Sequence, residues 1–134
     1  MRLVVDTGVF SAALSRRRRP AFDRHVQFLV GQQLFLASVS VAELRFGALV
    51  AEWGDARRER LERAVRSTTV VPVTDDLLTL MAELRYACRK VGHPLGDRAH
   101  GNDLAIVATA VQIGAALVTA DRVFEDVPGL SLGP

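Results

Sequence analysis

The sequence predicts an α/β fold: a parallel sheet covered on both faces by helices. Three observations carry this. Short apolar runs alternate with longer stretches of helical period along the 134 residues. The runs are apolar throughout rather than alternating with polar residues, as befits strands buried on both faces. No tight two-residue hairpin signal joins one run to the next, so the strands are linked by crossovers, which should be right-handed. The length is that of one domain, taken as residues 1–134, and long enough to bury roughly two-thirds of the unfolded surface.

The elements follow in order. Residues 2–6 (RLVVD) read as a strand ending in a carboxylate, and 7–14 (TGVFSAAL) as a short helix. Arg16 to Arg19 and Pro20 form a loop. Over 21–31, Phe22, Val26, Leu29 and Val30 stand at helical spacing, with Gly31 as a stop. Residues 33–37 (QLFLA) are a second strand, and a helix runs from Ser40 to Trp53, ended by Gly54. Residues 55–67 make a thin amphipathic helix with charges at i,i+4: Arg58–Glu62, Glu59–Arg63 and Glu62–Arg66. Residues 69–73 (TVVPV) are a third strand, and Pro72 suggests an edge position. Leu77, Leu78, Met81, Leu84, Cys88 and Val91 form a helical core stripe over 75–91. A polar loop spans 92–102. The helix at 103–113 is apolar on nearly all sides and therefore central. Residues 115–119 (AALVT) are a fourth strand, and 130–132 add a short last one.

Composition narrows the function classes. Hydrophobic residues are 49% and charged residues 24%, an ordinary globular balance rather than a disordered one. The single cysteine, Cys88, excludes an internal disulfide and a Cys-rich zinc site. The longest near-apolar stretch, 104–118, has 15 residues and contains Gln112, short of the roughly 20 that span a bilayer. Asp6 interrupts the only N-terminal apolar run, so no signal peptide is read and the cytoplasm is the expected compartment. Net charge is +2, and 16 of the 17 basic residues are Arg, whose planar fork matches phosphate.

Four acids stand at strand-to-helix junctions. Asp6 ends the first strand, Glu43 lies at the start of the helix after the second, Asp103 opens the central helix, and Asp121 follows the fourth strand by two residues. In a parallel sheet those junctions share one edge, where ligands bind. Each acid could instead be a helix cap. Asp6 and Asp121 suit N-caps, Ser40-x-x-Glu43 is a formal capping box, and Asp103 beside a capping Asn102 would favour the helix dipole. Residue type argues against caps alone, because Ser, Thr or Asn cap without adding charge. Two like charges about 4 Å apart repel by about 4 kcal/mol at an effective dielectric of about 20. A hard cation, Mg²⁺ or Mn²⁺, removes that repulsion. It also lowers the pKa of a bound water and stabilises a leaving oxygen, which is the chemistry of phosphodiester hydrolysis.

The motifs VVDTGVF, SVSVAELRFGA, NDLAIVATA and ALVTADRVFEDVPGL, in that order from Met1 to about Leu130, resemble the PIN domain, and within it the VapC-type toxins of bacterial type II toxin–antitoxin modules. The resemblance implies a three-layer α/β/α sandwich around a mainly parallel sheet and a homodimer. It implies a Mg²⁺- or Mn²⁺-dependent endoribonuclease that cuts structured RNA, at a tRNA or ribosomal RNA loop, and so inhibits translation. It also implies an antitoxin partner whose C-terminal segment occupies the active-site groove. The family's acidic quartet carries over to Asp6, Glu43, Asp103 and Asp121, with Thr7 and Thr119 as supporting hydroxyls. Hydrolysis by water would leave a 5′-phosphate and a 3′-hydroxyl. Asp126, five residues after Asp121, could compete for the last place, and Asp97 is an acid of the polar loop.

Other features of the chain admit other readings. Asp6-Thr7-Gly8 spells the aspartic-protease signature, but those folds are all-β. A phosphoacceptor receiver needs a Lys near a late strand end, and Lys90 lies in a helix. Arg16, Arg17, Arg18 and Arg19 are candidates for RNA-backbone contact against the alternative of a solvated loop. His25 is expected to be partly buried or at the surface, and Cys88 in the core. Phe46 is expected in the core, while Trp53 could line a partner groove. His100, three residues before Asp103, could reach RNA, and His93 has no assigned role. Aromatic residues are only 6%, so no extended base-stacking platform is expected. The rival reading of function is a PIN-like module that binds RNA or protein without cutting it.

Overall fold

The structure, a computed structural model, describes residues 1–134 and contains four strands and six α-helices. In order these are β1 (Arg2–Val5), α1 (Thr7–Leu14), α2 (Asp23–Phe28), β2 (Gln33–Ala37), α3 (Ser38–Val50), α4 (Asp55–Arg66), β3 (Thr69–Val71), α5 (Asp75–Lys90), α6 (Gly101–Ile113) and β4 (Ala116–Val118). The sheet order is β3-β2-β1-β4 and every pairing is parallel. The expected α/β sandwich is what forms.

Alternation along the strands builds two cores. Val4, Phe35, Ala37, Val71 and Leu117 face one side, where Leu77, Leu84 and Cys88 of α5 and Leu104, Val107 and Ala108 of α6 cover them. Leu3, Val5, Leu36 and Val118 face the other, against Val9 and Phe10 of α1, Val41 and Leu44 of α3, and Leu61 and Val65 of α4. Both faces of β1 are sealed, so it carries no polar alternation. The apolar 103–113 stretch is central as expected: Ile106, Val107, Ala108 and Ala110 are fully buried. β3 is an edge strand and ends at Val71, leaving Pro72 outside the ladder where its missing N–H costs nothing.

Several boundaries differ, each for a local reason. The helix expected over 21–31 is a 3₁₀ turn, Pro20–Phe22, followed by α2, and Val30 is exposed. α3 begins at Ser38, two residues before the expected start, so Ser40 is no N-cap and the capping box does not form. Ser38 instead donates to the Val71 carbonyl (2.6 Å), tying α3 to β3. α6 begins at Gly101, so Asn102 is not its cap, and the polar loop before it winds through 3₁₀ turns at Pro94–Gly96 and Arg98–His100. The last strand reduces to one bridge between Leu132 and Leu117. Leu78 and Val91 fall off the buried stripe of α5, being 52% and 66% exposed. Phe46 is not core: it is 67% exposed on α3, beside exposed Leu49 and Val50.

The charges of α4 also pair elsewhere. Glu62 bonds Arg45 of α3 (2.8 Å), and Glu59 bonds Arg66 (3.0 Å), rather than their i,i+4 neighbours.

Candidate functional site

Register brings the acids together. Val5 pairs with Val118, so the residues that leave the two strands, Asp6 and Thr119, emerge side by side. The Asp6 amide still donates to the Val118 carbonyl (3.0 Å), extending the ladder by one step. One carboxylate oxygen of Asp6 accepts from the Thr7 amide (2.8 Å) and the other from the Thr119 hydroxyl (2.7 Å). The same Thr119 oxygen accepts from the Asp121 amide (3.0 Å). One hydroxyl therefore fixes the Asp6 side chain and the backbone that carries Asp121.

Glu43 lies in the second turn of α3. The Thr7 hydroxyl stands 3.0 Å from Glu43 Oε1 and 3.0 Å from Ser40 Oγ. Each hydroxyl has one proton, so Ser40 donating to Thr7 and Thr7 donating to Glu43 satisfies all three groups. Asp103 sits in the first turn of α6, and its Oδ2 lies 3.0 Å from His100 Nδ1. An ionised carboxylate only accepts, so His100 donates.

The structure brings Asp6, Glu43, Asp103 and Asp121 to one cavity of about 390 Å³, with Thr7, Gly8, Phe22 and Ala120 completing the lining. No three His, Cys, Asp or Glu side chains close into a ready cage, so the acids border an open space with room for water. Capping explains only half of the set. Asp6 holds the Thr7 amide and Asp121 the Val123 amide (3.0 Å), whereas Glu43 and Asp103 accept from side chains and cap nothing.

No Lys or Arg pairs with any of the four. Burial pushes the Asp6 carboxyl above its ordinary value. The Thr119 and Thr7 donors oppose that rise, and the charges of Asp103 and Asp121 add to it. The donors are all carboxylate oxygens, with no thiol among the lining residues. This set fits a hard divalent cation that takes one or two carboxylates and keeps several waters.

The remaining candidates distribute as follows. Arg16 to Arg19 are all exposed; Arg18 pairs with Asp23 (3.1 Å). Arg19 stacks over the Phe22 ring at 4.8 Å; Phe22 lines the acidic cavity, while Arg16 to Arg19 line a separate one that shares Phe22 with it. Asp126 and Asp97 do not line the cavity. Cys88 is buried in the core, and that burial raises its thiol above the ordinary value. His25 is half-buried with Nδ1 unpartnered. Trp53 is partly buried against the α4 side and stacks with Arg57 (4.4 Å). Ser40, Phe22 and the pairing role of His100 were not read from the sequence. The i,i+3 spacing of Ser40 to Glu43 and of His100 to Asp103 was the available signal.

Known proteins resemble this chain in sequence and in fold. The PIN domain family matches residues 3–130. The chain is 32% identical to Ribonuclease VapC5 of Mycobacterium tuberculosis over 128 residues, which cover 94% of this chain and 87% of that protein. Among solved structures, VapBC2 from Rickettsia felis, bound to a DNA fragment from its promoter, superposes with a TM-score of 0.79 at 21% identity, covering 99% of this chain and 98% of the other. VapBC-5 from Mycobacterium tuberculosis, a member of the VapBC family of toxin–antitoxin systems, gives a TM-score of 0.66 at 25% identity, covering 98% and 96%.

Proposed function

The chain belongs to the PIN domain family, and from that premise we propose that it is a divalent-metal-dependent endoribonuclease, the toxin of a toxin–antitoxin pair. The single observation that carries the chemistry is the meeting of Asp6, Glu43, Asp103 and Asp121 around one cavity without a Lys or Arg partner. The relative named as a ribonuclease supports RNA as the substrate class.

Asp6, Glu43, Asp103 and Asp121 would hold Mg²⁺ or Mn²⁺. Such an ion supplies Lewis-acid stabilisation of the phosphate and activation of water for in-line displacement. The chain's own residues prepare the site. Thr119 and the Thr7 amide fix both oxygens of Asp6, Thr7 fixes Glu43, and His100 fixes Asp103. These contacts orient the acids before a ligand arrives, which lowers the ordering cost of binding. Arg16 to Arg19, in a cavity that shares Phe22 with the acidic one, are the candidates to hold the RNA backbone.

A protein partner and self-association fit the exposed apolar face of α3, where Phe46, Leu49 and Val50 are each more than half exposed. The structural relatives include VapBC toxin–antitoxin assemblies. The sequence extent matched by the family supports a single domain over residues 1–134. No helix is long and apolar enough to cross a membrane.

The test is cleavage of a folded RNA with Mg²⁺ or Mn²⁺, repeated in EDTA. Parental protein is expected to give products bearing a 5′-phosphate, and EDTA to abolish them. Asp6→Asn and Asp103→Asn are each expected to reduce cleavage to background with an unchanged circular dichroism spectrum. Parental-rate cleavage by either variant removes that residue from the site.

A further inference from the structure

Outside the acidic cavity, the loop between α5 and α6 builds a second cavity of about 480 Å³. Its eight lining residues include Arg85, Arg89, Arg98, His93, Asp97 and Gly96, and none is hydrophobic. None of the three arginines has an acidic partner. Arg85 is half-buried and donates through Nε to the Gly96 carbonyl (3.2 Å), which leaves its Nη groups free. Arg89 and Arg98 are exposed.

The cleft is built and held. Gly96 is buried directly against α5: a Cβ there would stand 2.5 Å from Arg89 Cγ and 2.8 Å from the Arg89 backbone nitrogen. His93 bolts the loop at its other side. Its Nδ1 accepts from the Leu95 amide (3.1 Å), so Nε2 must carry the proton that it donates to the Glu125 carbonyl (2.7 Å). Glu125 follows the turn that Asp121 opens, and His100, at the end of the same loop, bonds Asp103. The arginine cleft is thus tied at two points to residues that carry the acids.

We propose that this cleft binds backbone phosphates of the RNA strand that enters the acidic cavity. The inference rests on the ribonuclease reading for its substrate class. Three arginines against one aspartate leave the cleft positive, and guanidinium forks match phosphate oxygens two at a time. An amphipathic peptide needs apolar anchors, and the lining offers none.

The probe is a fluorescein-labelled RNA hairpin, its dissociation constant measured by anisotropy in EDTA so that no cleavage occurs. Arg89→Ala/Arg98→Ala is expected to weaken binding about tenfold near 0.1 M salt. The slope of log K against log salt should fall by roughly 1.5, two phosphate contacts' worth. A charge-matched pair, Arg57→Ala/Arg63→Ala on α4 across the sheet, is expected to change binding less than twofold. Should the alanine pair melt early, Arg89→Lys/Arg98→Lys keeps the charge and loses the forks; it is expected to hold the salt slope and lose about threefold in affinity.

Equal losses from both alanine pairs, or no loss from the cleft pair, overturn the proposal. So does a polyglutamate peptide that binds the parent through Arg89 and Arg98 while RNA binding is unaffected, since the occupant is then an acidic polypeptide. A parent that binds RNA through the cleft but never cleaves it sinks the enzyme reading alone. A parent that cleaves, with RNA binding indifferent to the cleft variants, sinks the cleft alone.

Discussion

Asp6 is half-buried, and its environment sets two measurable consequences. Burial raises its carboxyl pKa above the ordinary value of 3.8, so between that value and the raised one the folded chain binds more protons than the unfolded chain. Stability conferred by the protonated form is therefore present at low pH and is lost as pH rises through the raised pKa. Asparagine carries no such penalty. It keeps an oxygen for the Thr7 amide, and the Thr119 hydroxyl can turn to accept from its amide. In EDTA at pH 7, Asp6→Asn is expected to melt at or above the parental temperature, and the gap should close as pH falls toward about 4; a variant that melts lower throughout contradicts this. Thr119 is the second lever. Thr119→Val deletes the donor to Asp6 and the acceptor for Asp121, and loss of a supporting contact of this kind typically costs 10–100-fold in metal affinity or activity. Thr119→Ser restores the hydroxyl and is expected to recover most of it, read as the Mg²⁺ concentration for half-maximal cleavage. The four acids themselves were legible in the sequence because a parallel sheet puts every strand-to-helix junction on one edge. The helpers were less so: Ser40 carries a spacing that equally well describes a capping box, and only the start of α3 at Ser38 decides between them.

At the level of elements, apolar runs and helical stripes located every strand and helix, because burial on both sheet faces leaves an unbroken pattern. Errors gathered where tertiary contacts compete with local rules. Ser38 reaches across to the Val71 carbonyl and pulls the start of α3 forward. Glu62 abandons its own helix for Arg45, since a neighbouring helix offers two guanidinium contacts (2.8 and 3.4 Å) where an i,i+4 partner offers a few tenths of a kcal/mol. Phe46 has the spacing of a core residue on a helix whose inner face is already filled by Val41, Leu44 and Ala48. In the 92–102 loop the sequence showed glycines, Pro94 and a few polar side chains, yet one glycine there has an exacting place. Gly96 lies so close to the Arg89 backbone that no side chain fits, and helix backbone does not yield as a side-chain tip would. Gly96→Ala is expected to destabilise the fold by about 1–3 kcal/mol, as overpacking does, in urea titration. A matching substitution at Gly92 is no control, since its φ of 72° penalises alanine for a different reason. Gly101→Ala serves instead, being helical with nothing within 4 Å of the added carbon, and should be neutral or slightly stabilising.

Across the whole molecule, charge is segregated in a way that would tie stability to a cation bound at the proposed site. The protein carries a net +2, yet four acids without a Lys or Arg partner border one cavity at the edge where β1 and β4 end. Their mutual repulsion acts only in the folded state, because unfolding separates residues up to 115 positions apart in the chain, Asp6 and Asp121. A divalent ion bound there favours the folded chain by RT ln(1 + [L]/Kd). For a site of millimolar affinity, 10 mM Mg²⁺ contributes about 1.4 kcal/mol, which for a chain of this size raises the melting temperature by roughly 3–6 °C. Sodium chloride at equal ionic strength screens the same charges but does not bridge them, and should give a smaller rise. Asp6→Asn and Asp103→Asn each take one charge and one candidate ligand out of the cavity, so each is expected to melt above the metal-free parent and to gain less from added Mg²⁺ than the parent does. The comparison separates a metal site from ordinary screening without any RNA present. A parent whose melting temperature responds to Mg²⁺ no more than to sodium, or variants that respond as the parent does, would leave the acids as solvated neighbours at a sheet edge and no catalytic centre.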